Sequence, residues 1–199
     1  MPMRTLARFV SRTVLRLALL AALIVAAFVA LIGVVDALPA PGDLWARAAS
    51  AAAPSRPSGD STPAVVTRVI DGDTITVSTD TDPALTVRLL GIDTPEVRKP
   101  DTPVQPCGPQ ASDRTRALAT PGTAVRLEYD TTQDHTDRYG RTLAYVWIGG
   151  AMLNYTLVAE GWARTYVYNH RPGRHADALA DAQRDAQAAR AGVWGECPR

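Results

Sequence analysis

The segment DGDTITVSTDTDPALTVRLLGIDTPE, residues 71–96, contains two short runs that are typical of β-strands. The runs 74–79 and 86–90 are rich in β-branched residues, and turn-forming residues lie between them. We predict an antiparallel hairpin whose turn is centred between Asp82 and Pro83. In this register Asp73 faces Ile92, so Asp73 and Asp93 lie together at the end of the hairpin away from the turn.

A pair formed by Asp73 and Asp93 bears on function because neighbouring carboxylates repel each other. Such a pair is stable when one carboxyl group is protonated or when a cation lies between the two. A hard divalent cation with oxygen ligands, Ca²⁺ or Mg²⁺, would meet this need. The alternative is structural, since Asp71, Gly72 and Asp73 are also good turn-forming residues.

The remaining sequence predicts three more strands and three helices. The strands are at 64–70, 124–129 and 141–148, and the helices are at 109–119, 152–163 and 175–194. The last helix carries an apolar stripe made of Leu179, Ala182, Ala186 and Ala189. Five short strands with interspersed helices indicate a mainly β domain of the α+β class. The commonest candidate is a five-stranded OB-type barrel with about three helices.

Residues 17–35, LALLAALIVAAFVALIGVV, form an uncharged apolar run that is close to the length needed to cross a bilayer. The residues Arg4, Arg8, Arg12 and Arg16 precede it, which orients the N-terminus toward the cytoplasm and the rest of the chain outside. Three interpretations stay open: an uncleaved membrane anchor, a signal peptide cleaved after Ala37, and a buried soluble helix.

We therefore divide the chain into three parts. Residues 1–36 hold the basic N-terminus with the transmembrane or signal segment, residues 37–63 form an Ala/Pro/Ser-rich linker, and residues 64–199 form the folded domain. The whole chain has a formal net charge of +1, and removal of the first 37 residues leaves 17 basic and 19 acidic residues, about −2. Global charge gives no support to nucleic-acid binding, so that function would need a local site.

Two strand arginines and two tyrosines are candidates for such a local site. Arg88 lies in the strand 86–90 and Arg141 opens the strand 141–148, so their planar guanidinium groups could bind one phosphate. Tyr166 and Tyr168 alternate in YVYNHRP, residues 166–172, in a manner suited to stacking on a base. Each pattern has an ordinary alternative: arginines in surface ion pairs, and tyrosines that pack at the rim of the core.

Six segments in this order resemble the thermonuclease family, also called micrococcal or staphylococcal nuclease-like. They are VIDGDTITV, VRLLGIDTPE, CGPQAS, TDRYGRTLAYV, LNYTLVAEGWART and YVYNH. The resemblance covers nearly all of residues 64–196 and none of the first 63. Two departures concern substrate affinity: the loop VRKPDTPVQPCG after Glu96 has its own sequence, and Lys99 is the single lysine where the family prototype is lysine-rich.

The resemblance implies an OB barrel that hydrolyses phosphodiester bonds in DNA and RNA with Ca²⁺. By position it implies three metal ligands: the carboxylates of Asp73 and Asp93 and the backbone carbonyl of Thr94. It further implies that Arg88 and Arg141 bind phosphate and that Glu96 is the general base. The residues implied to contact the nucleotide are Tyr139 and Tyr168, with Tyr166 alongside. We expect DNA and RNA as substrates, a membrane contact if the N-terminal helix is not cleaved, and a monomer.

Cys107 and Cys197 both follow the apolar segment. In an oxidising compartment an even pair of cysteines favours a disulfide. Neither cysteine matches a position that carries the family's chemistry, so we expect the bond to stabilise the fold rather than to affect catalysis. The alternatives are two unpaired thiols or a weak metal-binding pair.

A different class of function also fits the fold. OB barrels widely serve as non-catalytic modules that bind single strands or protein partners, and fold alone does not establish activity. The feature that favours an enzyme is the complete set of charged residues, because a binding module has no need for Glu96 together with both acids and both arginines. The sequence thus predicts an extracytoplasmic nuclease.

Overall fold

We describe the protein from a computed structural model, which covers residues 53–58, 60–97, 104–195 and 197. The predicted membrane or signal segment and most of the predicted linker lie outside the described residues. Within the described ranges, no helix is both long and apolar enough to cross a bilayer.

The chain forms eight strands and three α-helices within these ranges. The strands are β1 (Ser61–Asp71), β2 (Thr74–Ser78), β3 (Leu85–Leu89), β4 (Ile92–Asp93), β5 (Ala124–Glu128), β6 (Thr142–Ile148), β7 (Ala151–Met152) and β8 (Arg164–Thr165). The helices are α1 (Gly108–Leu118), α2 (Leu153–Ala159) and α3 (Ala176–Ala188). Single 3₁₀ turns lie before α3 at Tyr168–His170 and after it at Gly192–Trp194. Strand β1 begins at Ser61 and so includes three residues that we assigned to the linker.

Strand β1 is long because it serves two sides of the sheet. Its first half pairs with β5, and its second half pairs with β2. Two register shifts, between Val66 and Arg68 and between Val69 and Asp71, interrupt the pairing with β2. Such bulges bend a strand and increase its twist. The bend lets one strand contribute to both sides of a curved sheet.

The sheet closes into a barrel through β3 and β6. The strand order is β3-β2-β1-β5-β6-β7, and the additional parallel pairing joins β3 to β6. In this closure Val87 pairs with Thr142 and Leu89 pairs with Ala144. The predicted five-stranded OB-type barrel with three helices is confirmed.

The predicted register of the β2–β3 hairpin is wrong by three residues. Thr74 pairs with Arg88, and the N–H of Leu89 donates to the carbonyl of Asp73, so Leu89 and not Ile92 is opposite Asp73. The reason is the turn. The N–H of Thr79 donates to the carbonyl of Asp82, which moves the centre of the turn before Asp82.

The barrel interior is filled by alternate residues of the central strands. Ile75, Val77, Val87 and Leu89 have no exposed surface. Each buried side chain of this size contributes about 1.5–3 kcal/mol relative to exposure. Because side chains alternate along a strand, Arg88 projects from the outer face of β3 while its two neighbours point inward. The core therefore fixes the direction in which Arg88 leaves the barrel.

Helix α3 is shorter than predicted because the following backbone turns back onto the domain. Leu179, Ala182 and Ala186 of the predicted stripe are buried, but the helix ends at Ala188 rather than at residue 194. Ala189, the fourth residue of the stripe, is exposed because it follows the end of the helix. The N–H of Val193 donates to the carbonyl of Gly161 at 2.9 Å. A Cβ atom at Gly161 would collide with the carbonyl of Ala191, so this close approach requires glycine.

Candidate active site

Asp73 and Asp93 meet at one guanidinium group. The Nη2 atom of Arg88 lies 3.0 Å from Oδ2 of Asp73 and 2.9 Å from Oδ1 of Asp93. The other nitrogen of the fork, Nη1, donates to the carbonyls of Leu89 and Ile92 at 2.8 and 2.7 Å. Arg88 is therefore held by four contacts, and it keeps the two carboxylates beside each other although they are not directly opposite in the hairpin.

Thr94 packs against the β1–β2 turn at the same place. Its backbone N–H donates to Oδ2 of Asp73 at 3.2 Å, and the residue is buried. A Cβ atom on Gly72 would lie 2.6 Å from Oγ1 of Thr94. Only glycine lets the turn approach Thr94 so closely, so Gly72 brings Asp73 to Asp93 and Thr94.

Arg141 reaches the same end of the barrel from the loop before β6. Its Nε donates to Oδ2 of Asp137 at 2.7 Å, and its Nη1 donates to Oγ1 of Thr74 at 3.5 Å. The hydroxyl of Thr74 in turn donates to Oδ1 of Asp73 at 2.9 Å. Asp73 thus lies between the two arginines, joined to Arg88 directly and to Arg141 through one hydroxyl group.

Asp137 is the counter-ion that orients Arg141. Its Oδ1 accepts hydrogen bonds from the backbone N–H groups of Tyr139 and Arg141 at 2.9 and 3.0 Å. Burial alone would raise the pKa of Asp137, but the hydrogen bonds from Arg141 and Tyr139 lower this pKa below its ordinary value. The side chain is ionised at neutral pH and fixes the fork of Arg141 beside Thr74.

Glu96 follows Asp93 on the loop that leaves β4, and the structure fixes its backbone. Its N–H donates to Oε1 of Gln105 at 3.0 Å, and its carbonyl accepts the N–H of Gln105 at 2.9 Å. The residue is partly buried. Two hydrogen bonds therefore fix the backbone of Glu96, three residues beyond Asp93.

The three predicted tyrosines are exposed near this end of the barrel. Tyr139 is 67% exposed, and Tyr166 and Tyr168 are each 49% exposed. The guanidinium groups of Arg138 and Arg141 lie 4.8 and 5.3 Å from the centre of the Tyr139 ring. A hydrogen bond to the Tyr139 hydroxyl, with the nearby phenol groups of Tyr168 and Tyr166, raises the pKa of Arg138. The tyrosines and the basic groups thus share one surface.

The two-stranded ladder of β4 and β8 explains this placement. Asp93 pairs with Arg164 and Ile92 pairs with Thr165. The N–H of Tyr166 then donates to the carbonyl of Gly91 at 2.9 Å. The ladder joins the tyrosine segment to the strand that carries Asp93.

The oxygen groups at this end fit a hard cation. The described residues contain no cluster of three or more His, Cys, Asp or Glu side chains that could hold a metal. A cation here would instead take the carboxylates of Asp73 and Asp93 and a backbone carbonyl, with water completing its shell. Such an all-oxygen set suits Ca²⁺, which accepts carbonyl and water ligands in flexible geometry. The Asp93 side chain is 60% exposed, so a cation can reach it from solvent.

Three residues of the site were not singled out by the sequence for the roles they have. Asp71 is buried and accepts from the N–H of Gly72 and from Oγ of Ser112, each at 2.7 Å, so it ties the turn to α1. Asp137 could have been identified from the sequence, because an acidic residue before a tight turn often accepts hydrogen bonds from the backbone N–H groups of the turn. No pattern in the sequence indicates Gln105, because residues 96 and 105 are nine positions apart and neither lies in a helix or strand.

Comparison with known protein sequences shows the family of this chain. A family model described as staphylococcal nuclease homologue matches residues 86–196. The chain is 48% identical over 130 residues to the thermonuclease of Staphylococcus hyicus, with 65% of this chain and 73% of that protein covered. It is 46% identical over 130 residues to the thermonuclease of Staphylococcus intermedius, covering 65% and 74%.

A third relative carries a different name. The endonuclease YncB of Bacillus subtilis is 40% identical over 130 residues, with 65% of this chain and 60% of that protein covered. The residues matched by the family model include Arg88, Asp93 and Arg141, while Asp73 precedes them. From the family model and these identities, the chain belongs to the staphylococcal nuclease homologue family.

Proposed function

We propose that the protein is a nuclease that hydrolyses phosphodiester bonds in DNA and RNA and requires Ca²⁺. The observation that carries this proposal is the connected set Asp93, Arg88, Asp73, Thr74 and Arg141 at one end of the barrel. The relatives named thermonuclease and endonuclease support the reaction class. A module that only binds nucleic acid needs positive charge, but it does not need two carboxylates held beside it.

The Ca²⁺ ion would be held by Asp73, Asp93 and the backbone carbonyl of Thr94. When bound it supplies positive charge at the scissile phosphate and lowers the pKa of nearby water. The hydrogen bonds from Thr74 and Thr94 fix the Asp73 carboxylate in advance, so little reorganisation is needed at this ligand.

The two arginines neutralise charge that develops on the phosphate. During hydrolysis a water oxygen bonds to phosphorus, and the bond from phosphorus to one ester oxygen breaks. Negative charge grows on the non-bridging oxygens, and preorganised cationic donors stabilise it. Arg141 is held by Asp137 and Arg88 by two carbonyls, so both forks are preorganised before the substrate binds.

Glu96 acts on the water molecule that attacks the phosphate. A carboxylate within hydrogen-bond reach can orient the attacking water and accept its proton. The contacts of the Glu96 backbone with Gln105 support this role, because they fix the backbone of Glu96 two residues beyond Thr94. The proton lost by the water is then passed to the leaving ester oxygen through solvent.

The tyrosines give the substrate a binding surface outside the reacting centre. Aromatic rings stack on bases of any sequence, and this contribution is about 1–3 kcal/mol per base. Tyr139, Tyr166 and Tyr168 are exposed, and Arg138 adds positive charge among them. We propose that they bind the nucleotides next to the scissile phosphate with little base preference.

The activity is tested with the purified full-length chain. DNA and RNA are incubated separately with Ca²⁺, with Mg²⁺, and with Ca²⁺ plus an excess of chelator, and the release of acid-soluble nucleotides is measured. We expect hydrolysis of both substrates with Ca²⁺ and none with the chelator. Full activity in the chelator would contradict the metal assignment. Binding without hydrolysis in every condition would favour the non-catalytic module.

We also propose that the nuclease domain lies outside the cytoplasm. This proposal is supported by the arginine-flanked apolar run 17–35 and by the disulfide between Cys107 and Cys197, whose Cα atoms are 5.7 Å apart. Cell fractionation followed by mass spectrometry tests it. A mature N-terminus at Leu38 identifies a cleaved signal, an intact N-terminus in the membrane fraction identifies an anchor, and a cytoplasmic chain contradicts the proposal. We expect a monomer in light scattering.

A further inference from the structure

The backbone of Glu96 forms two hydrogen bonds with Gln105, which lies nine residues later in the chain. Gln105 accepts the N–H of Glu96 at its side-chain Oε1, 3.0 Å away, and donates its own N–H to the Glu96 carbonyl at 2.9 Å. Both polar groups of the Glu96 peptide backbone thus bond to the same partner. We call residues 104–108, which carry Gln105, the clamp segment.

The clamp segment also packs directly on Glu96. A Cβ atom at Gly108 would lie 2.8 Å from the carbonyl oxygen of Glu96 and 3.0 Å from Cγ2 of Val97. The N–H of Gly108 donates to the carbonyl of Gln105 at 3.0 Å, which closes the segment into a tight turn. Because backbone lies on backbone here, a displacement of the clamp segment moves Glu96.

The disulfide is located inside this clamp segment. Cys107 is buried at the N-terminus of α1 with a left-handed φ of 64°, between Gln105 and Gly108. Its partner Cys197 follows the 3₁₀ turn Gly192–Trp194. That turn is itself anchored to the domain, since Val193 donates to Gly161 and the guanidinium of Arg164 lies 4.7 Å from the centre of the Trp194 ring.

We propose that Gln105 is a positioning residue for Glu96, and that the Cys107–Cys197 disulfide holds Gln105 in the register that Glu96 requires. This inference rests on the proposed function, because it assumes that Glu96 acts on the attacking water. It also changes the expectation drawn from the sequence, in which the disulfide affected stability alone. A bond inside the clamp segment affects the rate as well as the stability.

The first test is kinetic. Gln105→Leu removes the acceptor at an exposed position, Gln105→Glu keeps an acceptor, and Gln187→Leu is a matched control on an exposed face of α3. We expect Gln105→Leu to lower kcat at least about 10-fold with a KM within about 2-fold, because small misplacements of a catalytic group are costly in rate. Gln105→Glu should restore most of kcat. A kcat for Gln105→Leu equal to that of Gln187→Leu overturns the proposal.

The second test concerns the disulfide. The double variant Cys107→Ser, Cys197→Ser is compared with Val125→Ala, which opens a small cavity in strand β5. Both lower the melting temperature, so activity is measured at 25 °C with the folded fraction determined by circular dichroism. We expect kcat per folded molecule to fall in the double cysteine variant by about the same factor as in Gln105→Leu, and to stay unchanged in Val125→Ala. Equal kcat values in the double cysteine variant and in Val125→Ala contradict a positioning role.

A third measurement does not depend on activity. Amide hydrogen exchange of Glu96, followed by NMR, should accelerate at least about 10-fold in Gln105→Leu and in the double cysteine variant, and stay unchanged in Gln187→Leu. Unchanged exchange in all three variants rules the clamp out. If the wild-type chain hydrolyses neither DNA nor RNA, the proposed function fails, while exchange at Glu96 still decides whether the clamp exists.

Discussion

Two groups of carboxylates and cations on this small barrel differ in how completely they are enclosed. The Arg88 cluster comprises Asp73, Thr74, Arg88, Asp93 and Arg141, and its Asp93 side chain is 60% exposed. The Glu128 cluster comprises Ser58, Glu128, Asp130, Tyr145, Trp147, Arg174 and His175, and its Glu128 side chain has no exposed surface. Both combine carboxylates, hydroxyl groups and arginine, so the presence of these groups alone does not separate chemistry from stability.

The acceptors of the Glu128 cluster are fully used. Oε1 of Glu128 accepts from Ser58 and from Nη1 of Arg174, each at 2.9 Å, and Oε2 accepts from Nε1 of Trp147 at 2.7 Å. Nε2 of His175 lies 3.2 Å from both oxygens. Burial alone would raise the pKa of Glu128, but the hydrogen bonds from Ser58, Trp147 and Arg174 lower it below the ordinary value.

The comparison teaches that access decides the role of such a cluster. A saturated, enclosed carboxylate has no place for a substrate or a metal, and its removal leaves buried partners without a counter-charge. A carboxylate held by one arginine but open to solvent can exchange that contact for a cation or a water molecule. The predictions below separate the two clusters by asking which measured quantity each one controls.

The largest effect should come from Glu128→Ala. Removal of one member of a buried charge pair costs about 3–5 kcal/mol of unfolding free energy. Here Arg174 loses its counter-ion and Trp147 loses its hydrogen-bond acceptor. Equilibrium denaturation in urea measures this loss. The kcat of the folded fraction should be unchanged, since Glu128 touches no residue of the Arg88 cluster in the described contacts. A fall in kcat with little change in stability would reverse the roles of the two clusters.

Glu96→Gln and Arg141→Ala should have the next largest effect, and it should fall on turnover. Groups that act in the transition state contribute about 2.7–4 kcal/mol, so kcat should fall at least about 100-fold. The melting temperature should move little. Arg126→Ala, at an exposed arginine that bonds to Ser61, is the matched control and should keep the wild-type rate. Rates near wild type for either site variant would remove that residue from the mechanism.

A smaller effect is expected from Tyr139→Ala. Loss of one stacking surface should weaken substrate binding by about 1–2 kcal/mol, which corresponds to a KM about 5-fold to 30-fold higher. Because the ring lies outside the reacting centre, kcat should change less than KM. Steady-state kinetics on single-stranded DNA measures both constants, and Tyr139→Phe serves as the control that keeps the ring. A reduced kcat at constant KM would place the ring in the transition state.

The most gradual effect concerns pH. The pKa values of Glu128 and Asp130 are lowered in the folded protein from ordinary values of 4.5 and 3.8, despite burial, by hydrogen bonds from Ser58 and Arg174 respectively. Their stabilising contribution is therefore complete above these ordinary values and is lost as pH falls below them. The slope is at most about 1.4 kcal/mol per pH unit for each group.

Urea denaturation between pH 7 and pH 3 checks this dependence. The unfolding free energy of the wild type should be level above about pH 5 and decline below it. Glu128→Gln should be less stable at pH 7 but show a shallower decline. The same slope in both proteins would mean that carboxylates other than Glu128 cause the acid sensitivity.

The sequence predicted the regular elements well because they have clear periodicity. All five barrel strands and the three helices were found, with ends shifted by a few residues. The strands β4, β7 and β8 contain two residues each, and such short pairings leave no periodic pattern. The end of α3 depends on the contact of Ala191 with Gly161, which lies outside any local window.

The sequence predicted that Asp73 and Asp93 lie together, but the hairpin register on which this prediction rested is wrong. Asp73 and Asp93 do meet, but Arg88 joins them rather than the predicted hairpin register. The counter-ion of Arg141 lies four residues earlier, at Asp137, and could have been identified from the turn. The Glu128 cluster could not, because 47 residues separate Glu128 from His175 and only the folded barrel brings them together.

The parallel pairing of β3 with β6 sets the order in which the site is assembled during synthesis. The barrel closes only when Val87 pairs with Thr142, and this closure joins segments separated by more than 50 residues. Non-local pairings of this kind form late in folding, after the cost of closing the intervening loop has been met. A growing chain that has emerged only as far as helix α1 already carries Asp73, Arg88 and Asp93, yet it lacks Arg141 and the strand that shapes the barrel around them. The fold thereby delays its own hydrolytic competence until most of the polypeptide has left the ribosome.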